Sequence, residues 1–273
     1  MDINSSIGIF DSGLGGLSVL KQFIRFLPNE KYIYLGDTAR VPYGNKSKST
    51  VERYARECAD FLIQKNVKLI VIACSTVSSL AIDTIIEIAG TIPVIGMIKP
   101  GANAALRSTK SGKIGVIGTR ATISSMAYKT EIEHLNNNKK IEVLGQPCPL
   151  FVPFVEEGII NSDAIIQVAK EYLEPLKSHK VDTLILGCTH YPLLWNVIHH
   201  LLPDVNLIDT GEHASVSSLR LLAEMKLLKD ESGVFVDKPE IDFYVSDLPH
   251  NFHQQANIFL GFNVDKPILV ELG

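Results

Sequence analysis

Along this chain, short aliphatic runs alternate with longer stretches whose apolar residues return every three or four positions. The runs Ile7 to Phe10, Lys31 to Leu35, 67–73, Ile92 to Ile98, Lys113 to Ile117, Glu142 to Leu144, 181–187 and Ile241 to Val245 have the length and branching of buried strands. Between them lie helical stripes. Leu17, Leu20, Phe23, Ile24 and Leu27 form one, closed by Pro28-Asn29, and Val51, Tyr54, Ala55, Cys58, Phe61 and Leu62 form another. Further helices are predicted from Cys74 to about Ala89, over Ala102 to Thr109 after a break at Lys99-Pro100-Gly101, and from Thr122 to about Asn136. Ser162 opens a helix carrying Ile165, Val168, Ala169, Tyr172, Leu173 and Leu176, with a kink expected at Pro175. Ala214 to Leu228 and His250 to Leu260 read as helices, 136–140 as an exposed loop, and Glu231 to Asp237 as loose chain. Strands alternating with helices in this way predict an α/β protein built on parallel sheet.

The pattern also repeats. Ile7-Gly8-Ile9-Phe10-Asp11 is matched by Ile114-Gly115-Val116-Ile117-Gly118, an offset of 107. Strand 67–73 with Cys74 is matched by 181–187 with Cys188, an offset of 114, and Ile92 to Gly96 by Val205 to Asp209, an offset of 113. Three matches in one order imply two similar three-layer α/β domains related by a pseudo-twofold, with a site in the cleft between them. We expect residues 1–98, joined by about 207–273 returning from the C-terminus, to form the first domain, and 99–206 the second.

Composition narrows the function. The 273 residues are 46% hydrophobic and 21% charged, those of an ordinary soluble protein with room for a large core. A net charge of −4 without a basic run argues against nucleic acid. No apolar stretch approaches the roughly 18 residues of a membrane span, and Met1 to Ser6 is not a signal peptide, so a cytoplasmic protein is expected. The four cysteines, 58, 74, 148 and 188, show no C-x-x-C spacing, and disulfides are not expected in a reducing compartment.

Two of those cysteines stand out. Cys74 and Cys188 each end a buried strand and are followed by small polar residues, Ser75-Thr76 and Thr189-His190. Ligands in open α/β sheets bind beyond the carboxyl ends of the strands. Cys58 belongs to an apolar stripe, and Cys148 sits between prolines, so both read as structural. Asp11-Ser12-Gly13-Leu14-Gly15-Gly16 presents backbone N–H groups suited to a carboxylate, although it equally reads as a tight βα turn capped by Asp11. It is neither a dinucleotide nor a phosphate loop, because no Lys-Ser/Thr follows. Pro42-Tyr43-Gly44 is a rigid turn able to approach a ligand, or simply a surface loop.

Thiols facing one another across a small substrate suit inversion of a stereocentre: one face gives up the Cα proton and the other receives one. A thiol, with an ordinary pKa of about 8.5, serves as either acid or base near neutrality. One thiolate and one thiol must coexist, and Asp11 and His190 are candidate assistants. Ser12, Ser75, Thr76, Thr119 and Thr189 supply donors for a carboxylate becoming enediolate-like. Competing readings are two structural cysteines, a zinc site lacking usual ligand spacing, and a Cys-His-Asp nucleophile at Cys188. The last is awkward because Cys188 and His190 are so close in sequence.

The motifs IGIFDSGLGGLSVL (7–20), YLGDTARVPYG (34–44), IVIACST (70–76), IGVIGTRATI (114–123), LILGCTHYPLL (184–194) and FYVSD (243–247) resemble those of the cofactor-independent glutamate racemases, of the aspartate/glutamate racemase superfamily. The resemblance covers nearly the whole chain. It implies an isomerase needing no cofactor or metal, with Cys74 acting on the D-enantiomer and Cys188 on the L-enantiomer. Asp11, Glu156 and His190 would be auxiliary catalytic groups. Asp11, Ser12, Tyr43, Gly44, Ser75, Thr76, Thr119, Thr189 and His190 would contact substrate. It further implies a homodimer supplying D-glutamate for peptidoglycan. One position departs: the family usually has Asn where this chain has Ser75, which is shorter and offers one donor instead of two. Aspartate or another small acid is therefore the nearest alternative substrate, and a non-catalytic acidic-amino-acid binder the alternative of another class.

Overall fold

The computed structural model describes residues 2–136, 140–229, 239–249 and 252–273. Its first sheet begins with β1 (Ile7–Asp11), the following helix α1 (Leu17–Phe26) and β2 (Tyr32–Gly36). Helix α2 (Lys48–Gln64), capped by the Ser47 side chain, returns to β3 (Leu69–Ile72). After β3 come α3 (Ser75–Leu80), α4 (Ile82–Ala89) and β4 (Val94–Gly96). Every residue of β1, β2 and β3 is buried, as continuous apolar runs covered on both faces require.

Helix α5 (Ile98–Ser108) leads into the second sheet, with β5 (Lys113–Gly118), α6 (Arg120–Ser124), α7 (Ala127–Leu135) and β6 (Glu142–Pro147). Then follow α8 (Phe151–Glu156), α9 (Asp163–His179), β7 (Thr183–Gly187), α10 (Trp195–Leu201) and β8 (Asn206–Asp209). Its order, β6-β5-β7-β8, reproduces β2-β1-β3-β4 of the first, and all pairings are parallel. The repeat read from the sequence is thus a repeat of topology, with β3 and β7 in equivalent places.

Helix α11 (Thr210–Glu224) packs on α1 and α5, its first N–H groups accepted by Asp209, from Gly211 at 2.8 Å and Glu212 at 3.4 Å. The chain then rejoins the first sheet: β9 (Ile241–Val245) pairs with β2, and β10 (Ile268–Leu269) with β9. Helix α12 (Phe252–Leu260) lies against α1. Leu207, Ile208 and Asp209 still pair with β7 of the second sheet before the chain returns.

Several expected boundaries move, each for a local reason. The chain does not break at Lys99-Pro100-Gly101, because α5 already starts at Ile98 and Pro100 falls in its first turn, where no N–H is needed. The stretch after Cys74 is two helices meeting at Ala81, whose φ of −133° is not helical. The stretch 122–136 is also two, separated at Met126 in the left-handed region, φ 57°. Helix α9 runs through the exposed Pro175 to His179. The 136–140 loop lies largely, and Glu231 to Asp237 wholly, outside the described residues, as does the expected helix start at His250.

Candidate active site

Asp11 ends β1 and its carboxylate accepts the Gly13 N–H at 3.0 Å, while the Tyr34 hydroxyl donates to the Gly13 carbonyl at 2.9 Å. The glycine-rich turn is thereby fixed from both sides. Gly15 has a steric reason to lack a side chain: a Cβ there would lie 2.5 Å from His190 Nδ1 and 2.5 Å from Thr189 Oγ1, in the other half of the repeat. Burial raises the Asp11 carboxyl above the usual range, opposed by the His190 charge and by backbone N–H groups of Gly16, Gly13 and Ser12.

Cys74 caps α3, and its Sγ donates to Ser12 Oγ at 3.4 Å. Burial and then the neighbouring Asp11 push this thiol up to about 12, against the stabilising Ser12 hydroxyl and Val77 N–H, with the Cys188 charge adding to the rise. Next to it, Thr76 Oγ1 lies 3.0 Å from Thr119 Oγ1 and 3.4 Å from Thr122 Oγ1, joining the ends of the two sheets through hydroxyls. Gly44 closes on the same place, where an added Cβ would meet Thr119 Cβ at 3.0 Å.

Cys188 follows β7 in a different environment. Its Sγ lies 3.8 Å from His190 Nδ1, and His190 Nε2 lies 3.1 Å from Glu156 Oε1. Their closeness in sequence does not prevent the pairing, contrary to expectation, because the chain bends into a helical turn at His190 (φ −78°, ψ −29°). Burial opposes a charge on His190, but hydrogen bonds and attraction from Cys188 and Glu156 outweigh it and push the imidazole up to about 10. The ring also stands edge-on to Phe259 of α12. Ser18 of α1 donates to the Thr189 carbonyl at 2.6 Å, tying the first half to this turn.

A cavity of about 350 Å³ opens between these groups, lined by both cysteines and by all the other residues singled out in the sequence: Asp11, Ser12, Tyr43, Gly44, Ser75, Thr76, Thr119, Glu156, Thr189 and His190. Cys58 and Cys148 are buried outside it. Sequence reasoning missed part of the wall: Asn45, Arg120, Pro149, Val152 and Pro153 also line it. The one available signal was the proline-punctuated stretch before Glu156, which folds as α8 with Pro153 in its first turn. Among the described residues, no three His, Cys, Asp or Glu side chains are grouped to hold a metal ion, and no helix is long and apolar enough to cross a membrane.

Parallel strands in two like-ordered sets, with a cysteine at each equivalent strand end in one cavity, are the frame of an amino-acid racemase. Residues 7–216 match the Asp/Glu/hydantoin racemase family, and the chain belongs to it. Within that family it is similar to the glutamate racemase of Chlorobaculum tepidum, 47% identical over 94% of this chain and 93% of the relative. It is 53% identical to that of Persephonella marina, over 76% of this chain and 78% of the other. Among solved structures, glutamate racemase from Francisella tularensis in complex with D-glutamate superimposes with a TM-score of 0.90 at 43% identity, covering 98% of both chains.

Proposed function

We propose that this isomerase interconverts L- and D-glutamate by two-thiol proton transfer at Cα, without a cofactor. The observation that carries the reading is the unequal pair of sulfurs in one cavity. Cys188 has a cationic imidazole beside it, which stabilises negative charge on sulfur, whereas Cys74 is held as a neutral thiol by burial and Asp11. We assign Cys188 as the base toward L-glutamate and Cys74 as the acid. With L-glutamate bound, the Cys188 thiolate takes the Cα proton and the C–H electron pair passes into the carboxylate as an enediolate. The Cys74 S–H then delivers its proton to the opposite face, giving D-glutamate and leaving the charge on Cys74. The reverse reaction uses the same steps backwards.

The difficulty is the weak Cα acid, since each pKa unit of mismatch is worth about 1.4 kcal/mol. N–H groups of the Asp11–Gly16 turn and the hydroxyls of Ser12, Ser75, Thr76, Thr119 and Thr189 stabilise the enediolate, with Tyr43 and Gly44 closing the cavity over the substrate. Asp11, Glu156 and His190 set the protonation of the sulfurs. We further infer two domains, residues 1–98 with the C-terminal return and 99 to about 209, in a cytoplasmic homodimer supplying D-glutamate for peptidoglycan. The test is racemisation in D₂O by wild type, Cys74→Ala and Cys188→Ala. Wild type should place deuterium at Cα of the product. Each variant should lose at least the 10²–10⁴-fold typical of a lost acid or base, while still binding glutamate. Full turnover by either variant would refute the assignment, and binding without exchange by wild type would make the protein a binder.

A further inference from the structure

Two of the quoted sequence motifs meet away from the sulfurs: the loop after β2 and the end of β9. Asp37, fully buried and outside the cavity lining, is the centre. Its Oδ1 accepts from Ser246 Oγ at 2.7 Å, and its Oδ2 accepts from Arg40 Nε at 2.6 Å and from the Tyr43 hydroxyl. Arg40 also pairs with Glu57 and lies over the Tyr54 ring, 4.1 Å from its centroid, against which the Tyr43 ring is tilted. Backbone contacts extend the join: Ala39 N–H donates to Ser246 Oγ at 2.9 Å, and Asp247 N–H to Thr38 Oγ1 at 2.9 Å. At the other edge, Asp37 N–H donates to the Asp11 carbonyl at 3.0 Å.

A carboxylate withdrawn from water costs more than its pairing commonly returns, and an apolar replacement of the same volume is often as stable. Such a hub is better explained by the geometry it fixes. The geometry here is that of Tyr43, whose ring lines the cavity and whose hydroxyl ends on Asp37, and of Gly44, which abuts Thr119 of the other half. We propose that Asp37 is a positioning residue that acts through Tyr43 to set the substrate-closing wall, with Ser246 at the end of β9 as its second support. This rests on the reading that Tyr43 and Gly44 close over glutamate.

The experiment compares Asp37→Asn, Tyr43→Phe, the double variant and Ser246→Ala with a control, Glu30→Gln, which breaks the buried Lys68–Glu30 pair (2.5 Å) outside the cavity lining. D-glutamate affinity is measured by calorimetry, KM and kcat by turnover, and folding by thermal unfolding. Asp37→Asn should raise KM and Kd about tenfold with kcat changed less than about threefold, the mark of lost binding as opposed to lost chemistry. Ser246→Ala should move them the same way by less. In the Tyr43→Phe background the Asp37 effect should nearly vanish, because both changes remove one interaction. The Glu30→Gln control should lower the unfolding temperature and leave KM alone. Equal Asp37 effects with and without the Tyr43 hydroxyl, or KM shifts in Glu30→Gln as large as in Asp37→Asn, would overturn the proposal. If Asp37→Asn does not fold, Ser246→Ala and Tyr43→Phe decide it: unchanged KM and Kd in both would overturn it. Because calorimetry reads binding without turnover, failure of the two-thiol mechanism would remain distinguishable.

Discussion

Glu156→Gln isolates the electrostatic support of one sulfur without touching either. Glu156 accepts from His190 at 3.1 Å, and His190 in turn faces Cys188 at 3.8 Å. Gln keeps the shape and an acceptor oxygen but removes the charge that favours imidazolium. A hydrogen bond to a charged group is worth roughly 1.5–3 kcal/mol. The Glu156 side chain is 42% exposed, so solvent screening places the loss at the lower end. About 1.4 kcal/mol is one pKa unit, which brings His190 from about 10 to about 9. When the imidazolium loses its proton, the cavity meets the two carboxylates of glutamate with one cation fewer, so kcat/KM should fall on the alkaline side. The assay is the pH profile of kcat/KM, followed by circular dichroism of the two enantiomers. The alkaline limb should move down by about one unit, while kcat/KM at neutral pH, where the imidazole keeps its proton in both proteins, should change little. Enantiomers are equal in free energy, so both directions must change by the same factor. An alkaline limb left in place would refute the reasoning.

Other outcomes follow from the same contacts. Gly15→Ala puts a methyl group 2.5 Å from His190 Nδ1 and should displace that ring; a misplacement of about 1 Å is worth about 10²-fold in rate, readable as a fall in kcat/KM with the unfolding temperature less affected. His190 holds its proton more tightly when folded (about 10) than at the ordinary value of 6.5. Its contribution to stability is therefore whole below pH 6.5 and is lost as pH rises through 10. His190→Asn should be less stable than wild type in denaturant melts at pH 6, and the gap should close above pH 10.

Much of this site was legible because its residues sit at strand ends, where sequence pattern and function coincide. Cys74 and Cys188 follow strongly apolar runs, and the sequence repeat alone places them in equivalent positions. The family resemblance then implied Glu156, which no periodicity distinguishes. Residues in the irregular wall escaped. Arg120 and Val152 face the cavity because of how α6 and α8 are set, and short helices starting near prolines leave little periodic trace. Helix interruptions at Ala81 and Met126 were invisible for a related reason: neither residue type announces an unusual backbone, and tertiary packing sets it there. The Asp37 hub joins segments 209 residues apart, a distance no local pattern spans.

Under the proposed two-thiol mechanism, the unlike surroundings of the sulfurs would also give the protein a memory of its last turnover. A passage from L to D would leave the negative charge on Cys74, in a buried place beside Asp11 that disfavours it, and the proton on Cys188, 3.8 Å from His190 Nδ1. Before the next L-glutamate can react, the proton must travel back, through solvent or by carrying a D-glutamate in reverse. At high concentrations of a single enantiomer this reset, and not the breaking of the C–H bond, would limit the speed of the cycle.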